Sequence, residues 1–311
     1  MSTICVNLFG QFRVQCGEEN LTSLLTRKTQ ELFCYLLLYR DHPHDRETLA
    51  SALWPDHTVA QSRKCLRQAL WHLQTVLNPH IEPGDGRVLR IEPDAVQLNL
   101  ETAIWLDAAV LEQAFVRMQG VPDQAMSASD AQALHSAVDL YQADLLEGWY
   151  QDWCLYERER FQNMYFMMLD KLMVYCEAHH EYEAGLTYGM RILRCDRARE
   201  RAHRRLMRLY YLAGDRSAAL RQYERCVAAL KDELGVTPSR RTTSLYEQVR
   251  DDQLAQTPFA APASTTTPNP AASPLSEVLS GLQQIQATLT EIQRQLQRDI
   301  QAVEVALKRQ R

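Results

Sequence analysis

The sequence predicts a mainly α-helical protein with a small β component, and three observations carry that expectation. A stretch free of Gly and Pro, Thr58 to Leu77, repeats its apolar residues at helical spacing. Further on, Tyr175, Ala184 and Tyr188 each stand 35 residues ahead of Tyr210, Ala219 and Tyr223, close to the period of about 34 of tetratricopeptide (TPR) helix pairs. Near the end, apolar residues from Leu275 to Leu296 alternate in steps of three and four, a heptad seam. Strand-like alternation is confined to the first residues and to one later hairpin.

The chain has 311 residues, 46% of them apolar and 23% charged, enough for two or three domains with real cores. A net charge of −5 gives no global attraction to nucleic acid, so any such binding must be local. No window approaches 18 uninterrupted apolar residues, and the start, MSTICVNLFGQFRV, lacks a charged leader and a cleavage site. A cytoplasmic location is expected. None of the eight cysteines forms a C-x-x-C pair, which predicts reduced, buried thiols. His179 and His180 are adjacent and cannot share a metal from one helix face. No G-x-S-x-G, H-E-x-x-H or P-loop occurs, so neither an enzyme nor a metal or other cofactor is expected.

In chain order, residues 3–9 and 12–16 alternate around Gly10-Gln11 as a short hairpin. Thr26 is positioned to cap a helix running to Arg40, with Leu32, Phe33, Leu36, Leu37 and Tyr39 inward. Asp45 caps a second short helix, and Trp54-Pro55-Asp56 ends it. The Thr58–Leu77 helix follows. Val59, Leu66, Leu70, Leu73 and Leu77 form its buried stripe, continued by Ser62 and Ala69. Its other face carries Arg63, Lys64, Arg67, Gln68 and Trp71, with no acidic residue between Asp56 and Glu82. Asn78-Pro79 stops it. A strand at Arg87–Ile91, a turn at Glu92–Ala95 and a strand at Val96–Leu100 complete the order of a winged helix behind an N-terminal sheet.

In a winged helix the third helix enters the major groove and the hairpin is the wing. Arginine binds guanine bidentately, Gln reads adenine, and Lys and Arg neutralise phosphates. Arg63, Lys64, Arg67, Gln68 and Trp71, with Arg87 on the wing, are therefore the candidate DNA-binding residues.

The segments VNLFGQFRV, RKTQELFCYLLLYRD, RETLASALWPD and SRKCLRQALWHLQ together resemble the N-terminal domain of the SARP-type bacterial transcription activators. The resemblance implies an OmpR-like DNA-binding fold over about residues 1–105. Many relatives carry further arginines late in the recognition helix, where this chain has Trp71, Gln74 and Thr75. ADLLEGWYQDWCLYERERF and LAGDRSAALRQYERCVAALKDELGVTPSRRTTSLYEQV resemble the bacterial transcriptional activator domain, implying TPR-like helices over 106–254.

Within that second region helix is expected to be continuous from Asp107 to about Asp252, and Ala137 with Tyr141 repeats the second-helix spacing once more. The aromatic cluster Trp149, Tyr150, Trp153 and Tyr156 is expected to pack between helices. The run Arg191 to Arg208 holds eight arginines. It reads either as a solvated helix surface or as a contact for an acidic partner or for DNA phosphates. Residues 255–274, rich in Pro, Ala, Thr and Ser, form a linker. Beyond it Leu275, Val278, Leu282, Ile285, Leu289, Ile292 and Leu296 form an oligomerisation seam over 275–311, with a phase slip at Asp299. Leucine at a with Ile at d favours a trimer or tetramer.

Taken together these readings predict a DNA-binding transcription activator. Its expected partners are double-stranded DNA, RNA polymerase and copies of itself. The alternative is an oligomeric scaffold with a degenerate winged helix, regulated by a ligand or partner held in the helical repeats.

Overall fold

A computed structural model describes residues 3–81, 86–122 and 125–254. The expected linker and the seam from Leu275 to Leu296 lie outside the described residues. Within them the protein is mainly helical with a small strand component, as expected.

Strands β1 (Ile4–Asn7) and β2 (Arg13–Cys16) form the expected hairpin, with Val6 opposite Val14. Gly10 makes the turn possible with a φ of +82°, a region in which a side chain is strained. A short β3 (Glu19–Asn20) adds to one edge. The other edge was not expected from the sequence: β7 (Ile104–Leu106) pairs parallel with β1, giving the order β3-β2-β1-β7.

Each of the next three helices starts at a side-chain cap. Thr26 accepts from the Thr29 N–H ahead of α1 (Arg27–Leu38), and Asp45 from the Thr48 N–H at 2.7 Å ahead of α2 (Arg46–Leu53). Thr58 and Gln61 cap each other's backbone ahead of α3 (Val59–Leu77). Such caps satisfy N–H groups that the helix cannot. Helix α1 ends before the expected Arg40, and Tyr39 is half-buried just past its end.

Helix α3 buries Ser62, Leu66, Ala69, Leu70, Leu73 and Leu77. Val59 does not join them: in the first turn, ahead of the packed face, it is exposed. The Ser62 hydroxyl donates to the Trp54 carbonyl at 3.1 Å and closes the turn between α2 and α3. A second sheet, β4-β6-β5, joins His44–Asp45 to the hairpin of β5 (Leu89–Ile91) and β6 (Ala95–Leu98). The hairpin is shorter at its base than expected.

From Asp107 the chain forms α4 (Asp107–Met118), α5 (Ala128–Val138), α6 (Asp152–Ala178), α7 (Tyr182–Cys195), α8 (Glu200–Leu212), α9 (Arg216–Leu234) and α10 (Arg240–Arg250). Helix is not continuous here. Residues 139–151 leave it to bond with the first strand's end: Gly10 N–H donates to Asp144, Leu146 N–H to Leu8 and Glu147 N–H to Gly10, at 2.7–2.8 Å.

The repeat is real, but its period is 34. Gly185, Tyr188, Gly189 and Ile192 of α7 occupy the same places as Ala219, Gln222, Tyr223 and Cys226 of α9, each 34 residues later. Ala184, aligned with Ala219 in the sequence, is exposed. The close approach falls on Gly185 and Gly189 instead. A Cβ at Gly189 would lie 2.5 Å from Leu206 Cδ2 and 2.8 Å from Met173 Cε.

One hydrophobic core runs from Ile4 through α1 and α3 into α4–α8. Trp149 is buried against Phe12 (ring centroids 6.0 Å) and under the Arg27 guanidinium (3.7 Å), and Trp153 meets Tyr35 edge-on at 5.5 Å. Half of the aromatic cluster therefore packs as expected, joining the helical region to α1. Tyr150 and Tyr156 do not pack; they are 78% and 67% exposed. Five cysteines are buried, Cys5 and Cys65 are half-buried, and Cys195 is exposed, against the expectation of uniform burial.

Candidate nucleic-acid interface

The interface begins with the division of α3 into two sides. Its packed side fixes the helix against α1 and α2, so residues at the complementary positions face outward. Arg63, Lys64, Arg67, Gln68 and Trp71 are all exposed, Trp71 by 67%. At 1.5 Å per residue, Arg63 to Trp71 spans roughly 12 Å of helix, about the width of a major groove. The side has no cover from other elements among the described residues.

The face is cationic but not purely so. Glu47, in the first turn of α2, forms an ion pair with the Arg63 guanidinium, and both side chains are more than half exposed. Sequence inspection of α3 alone missed this carboxylate, which lies 16 residues upstream on the neighbouring helix.

The hairpin is anchored to the same helix pair. The Arg46 N–H donates to the Asp94 carbonyl at 3.0 Å and its guanidinium to Glu92 and Pro93, so the hairpin tip is held at the start of α2. Arg87 is exposed at the hairpin's root, where the next residue's N–H donates to Asn78 Oδ1 at 3.1 Å. That position is at the end of α3 remote from Arg63. Arg90 pairs with Glu101 at 2.8 Å.

The arginine run is mostly neutralised within the protein. Arg191 pairs with Asp139 (2.7 Å), and Arg201 and Arg205 share Asp170 (2.9 and 3.3 Å). Arg197, Arg199, Arg204 and Arg208 pair with Glu233, Asp196, Glu200 and Glu177. Arg194 is exposed. The helical region also holds a cavity of about 240 Å³ lined by Phe115, Met118, Met167 and Met168, with Asp170 and Arg201 at its polar edge.

Charge also fixes the joint behind the candidate interface. Burial alone would raise the Glu112 carboxyl, but the hydrogen bonds and charges of Arg160 and Arg40 outweigh it and hold the group below its ordinary value. Asp107 shows the reverse. Burial raises its carboxyl although Phe9, Leu8 and Ala108 all donate N–H groups to it.

Comparison with known proteins gives a family match and a structural match. Residues 106–250 match the bacterial transcriptional activator domain. The solved structure of Mycobacterium tuberculosis EmbR in complex with a low affinity phosphopeptide is similar in fold, with a TM-score of 0.57 and 19% identity. The match covers 81% of this chain and 66% of that one, so this chain spans just under two thirds of that protein's length. No curated protein matches the sequence. Among the described residues no helix is long and apolar enough to cross a membrane. The chain carries a bacterial transcriptional activator domain over residues 106–250 and is similar in fold to EmbR.

Proposed function

We propose that this protein activates transcription by reading a specific DNA sequence with α3. Arg63, Arg67 and Gln68 take base edges in the major groove, Lys64 and Arg87 take phosphates, and Trp71 makes an apolar contact. The observation that carries the reading is the outward placement of Arg63, Lys64, Arg67, Gln68 and Trp71 on a helix whose other side is packed from Ser62 to Leu77. In this reading residues 1–105 bind DNA and residues 106–254 offer a surface to RNA polymerase. Residues 255–274 link them to an oligomerising helix at 275–311, all in the cytoplasm. Tethering several modest readers raises apparent affinity through effective concentration.

The test is a mobility-shift series on full-length protein with duplexes selected from a randomised pool. Arg63→Ala/Lys64→Ala/Arg67→Ala should abolish the shift, and equal binding by that variant sinks the reading. Lys64→Ala alone, which removes one phosphate contact, should lower the salt slope by about 0.9. Light scattering on full-length protein and on a chain ending at Gln253 tests the tether, which an unchanged stoichiometry removes.

A protein-only scaffold is the second reading, favoured by the acidic tip of the hairpin, Glu92 and Asp94, where a wing would meet phosphate. Undetectable selection from the pool supports it.

A further inference from the structure

The Arg63–Glu47 pair lies at the N-terminal end of the proposed reading surface, and it contributes little as a purely structural contact. Both side chains are more than half exposed, at 52% and 64%, and an exposed pair adds little to stability. Neither residue packs into the core. A carboxylate here also works against phosphate binding, because it cancels one of the three cations that α3 presents.

The backbone explains why Glu47 is held in this place. Asp45 caps α2 through Thr48, and the Arg46 N–H and guanidinium clasp the hairpin tip through Asp94, Glu92 and Pro93. Glu47 follows directly and so is fixed between the wing tip and the first turns of α3. From there its carboxylate reaches Arg63, one turn inside α3.

We propose that Glu47 is a specificity-determining residue of the DNA-reading surface. This rests on the reading of α3 given above. Three effects follow from one carboxylate. It orients the Arg63 guanidinium before DNA arrives, so that Arg63 approaches guanine O6 and N7 in a fixed plane. It also penalises any register that places a phosphate at this position, because two anions would then be adjacent. In the correct register it accepts from a cytosine N4 amine, the pairing that carboxylates make in the major groove. Glu47 lowers affinity for arbitrary DNA and leaves affinity for the cognate sequence high.

The experiment compares full-length wild type, Glu47→Gln, Arg63→Ala and the double variant, each selected against a randomised duplex pool and titrated at several salt concentrations. Glu47→Gln should bind unselected DNA more tightly and steepen the salt slope by about 0.9, as one more cation becomes available to phosphate. Its ratio of selected to unselected affinity should fall on the order of tenfold or more. Both effects should shrink in the Arg63→Ala background, where the guanidinium that Glu47 orients and offsets is gone. If wild type enriches a sequence but Glu47→Gln enriches it equally sharply with the same slope, Glu47 has no such role. If Glu47→Gln acts equally with and without Arg63, the pair is not the reading unit, and the proposal is again overturned. If wild type enriches nothing, the DNA-reading function itself fails first, a different result from either of these.

Discussion

The Asp107 carboxylate reaches back 99 residues to Leu8, accepting its backbone N–H at 2.9 and 2.8 Å through its two oxygens, and the Phe9 N–H at 3.0 Å through one of them. The groups are buried, so no water replaces the bond. Removing the acceptor leaves several donors without partners. Asp107→Ala should cost roughly 3–5 kcal/mol, because each orphaned buried donor costs about 1–3 kcal/mol. Asp107→Asn keeps one acceptor oxygen and should cost less. Urea unfolding midpoints measure both, and equal losses would contradict the account.

A chain ending at residue 103 lacks both β7 and Asp107. It should not give a dispersed amide NMR spectrum, whereas a chain ending at Leu254 should. A well-dispersed spectrum from the shorter chain would mean that the N-terminal region folds without these contacts.

Gly189 and Gly185 should respond differently to alanine. At Gly185 the nearest atom to a new Cβ is Leu209 Cδ1 at 3.0 Å. That modest crowding is offset by about 1 kcal/mol of helix propensity. At Gly189 the 2.5 Å approach to Leu206 and the 2.8 Å approach to Met173 require those packed side chains to shift. Gly189→Ala should lose about 1–2 kcal/mol, within the usual range for overpacking, while Gly185→Ala stays near wild type in thermal melts.

Glu112 gives the joint an acid-sensitive contact. Its folded-state carboxyl titrates below the ordinary 4.5. The stability it supplies is complete above that value and is lost as pH falls through the folded one. Glu112→Gln should lower stability at neutral pH by about 2 kcal/mol, the scale of a hydrogen bond to a charged group. It should also flatten the acid limb below pH 4.5. An acid limb identical to wild type would exclude Glu112 as a contributor.

Trp71 should separate binding from folding. It is 67% exposed on α3, so Trp71→Ala should leave the melting curve within about 0.5 kcal/mol of wild type. Affinity for a selected duplex should nevertheless fall, read by mobility shift. A stability loss in step with the affinity loss would show a packing role instead.

Much of the α1–α3 region was legible because its signals are local. Thr26, Asp45 and Thr58 stand directly ahead of apolar periodic runs, and Ser62, Leu66, Ala69 and Leu73 mark the packed side of α3 by spacing alone. What was hidden depends on distant partners. Strand β7 is three residues long, too short to show periodicity, and exists because β1 lies beside it. The Glu47–Arg63 pair joins two helices, and nothing within α3 reports it. The repeat was found one residue out of register because Ala184 and Ala219 are both small. The volume constraint in fact falls on Gly185, whose neighbours are Leu209 and Cys176.

The parallel pairing of β1 with β7 has a consequence for synthesis. As the ribosome delivers the chain, β1 emerges well before β7, and one of its two edges stays open until residue 104 emerges. An unpaired strand edge is a template for association with other chains, and partly made chains are most exposed to that hazard. The nascent protein must keep β1 soluble across about a hundred residues of translation, from Ile4 to its partner Ile104, and slowing the ribosome between β6 and β7 would lengthen that interval.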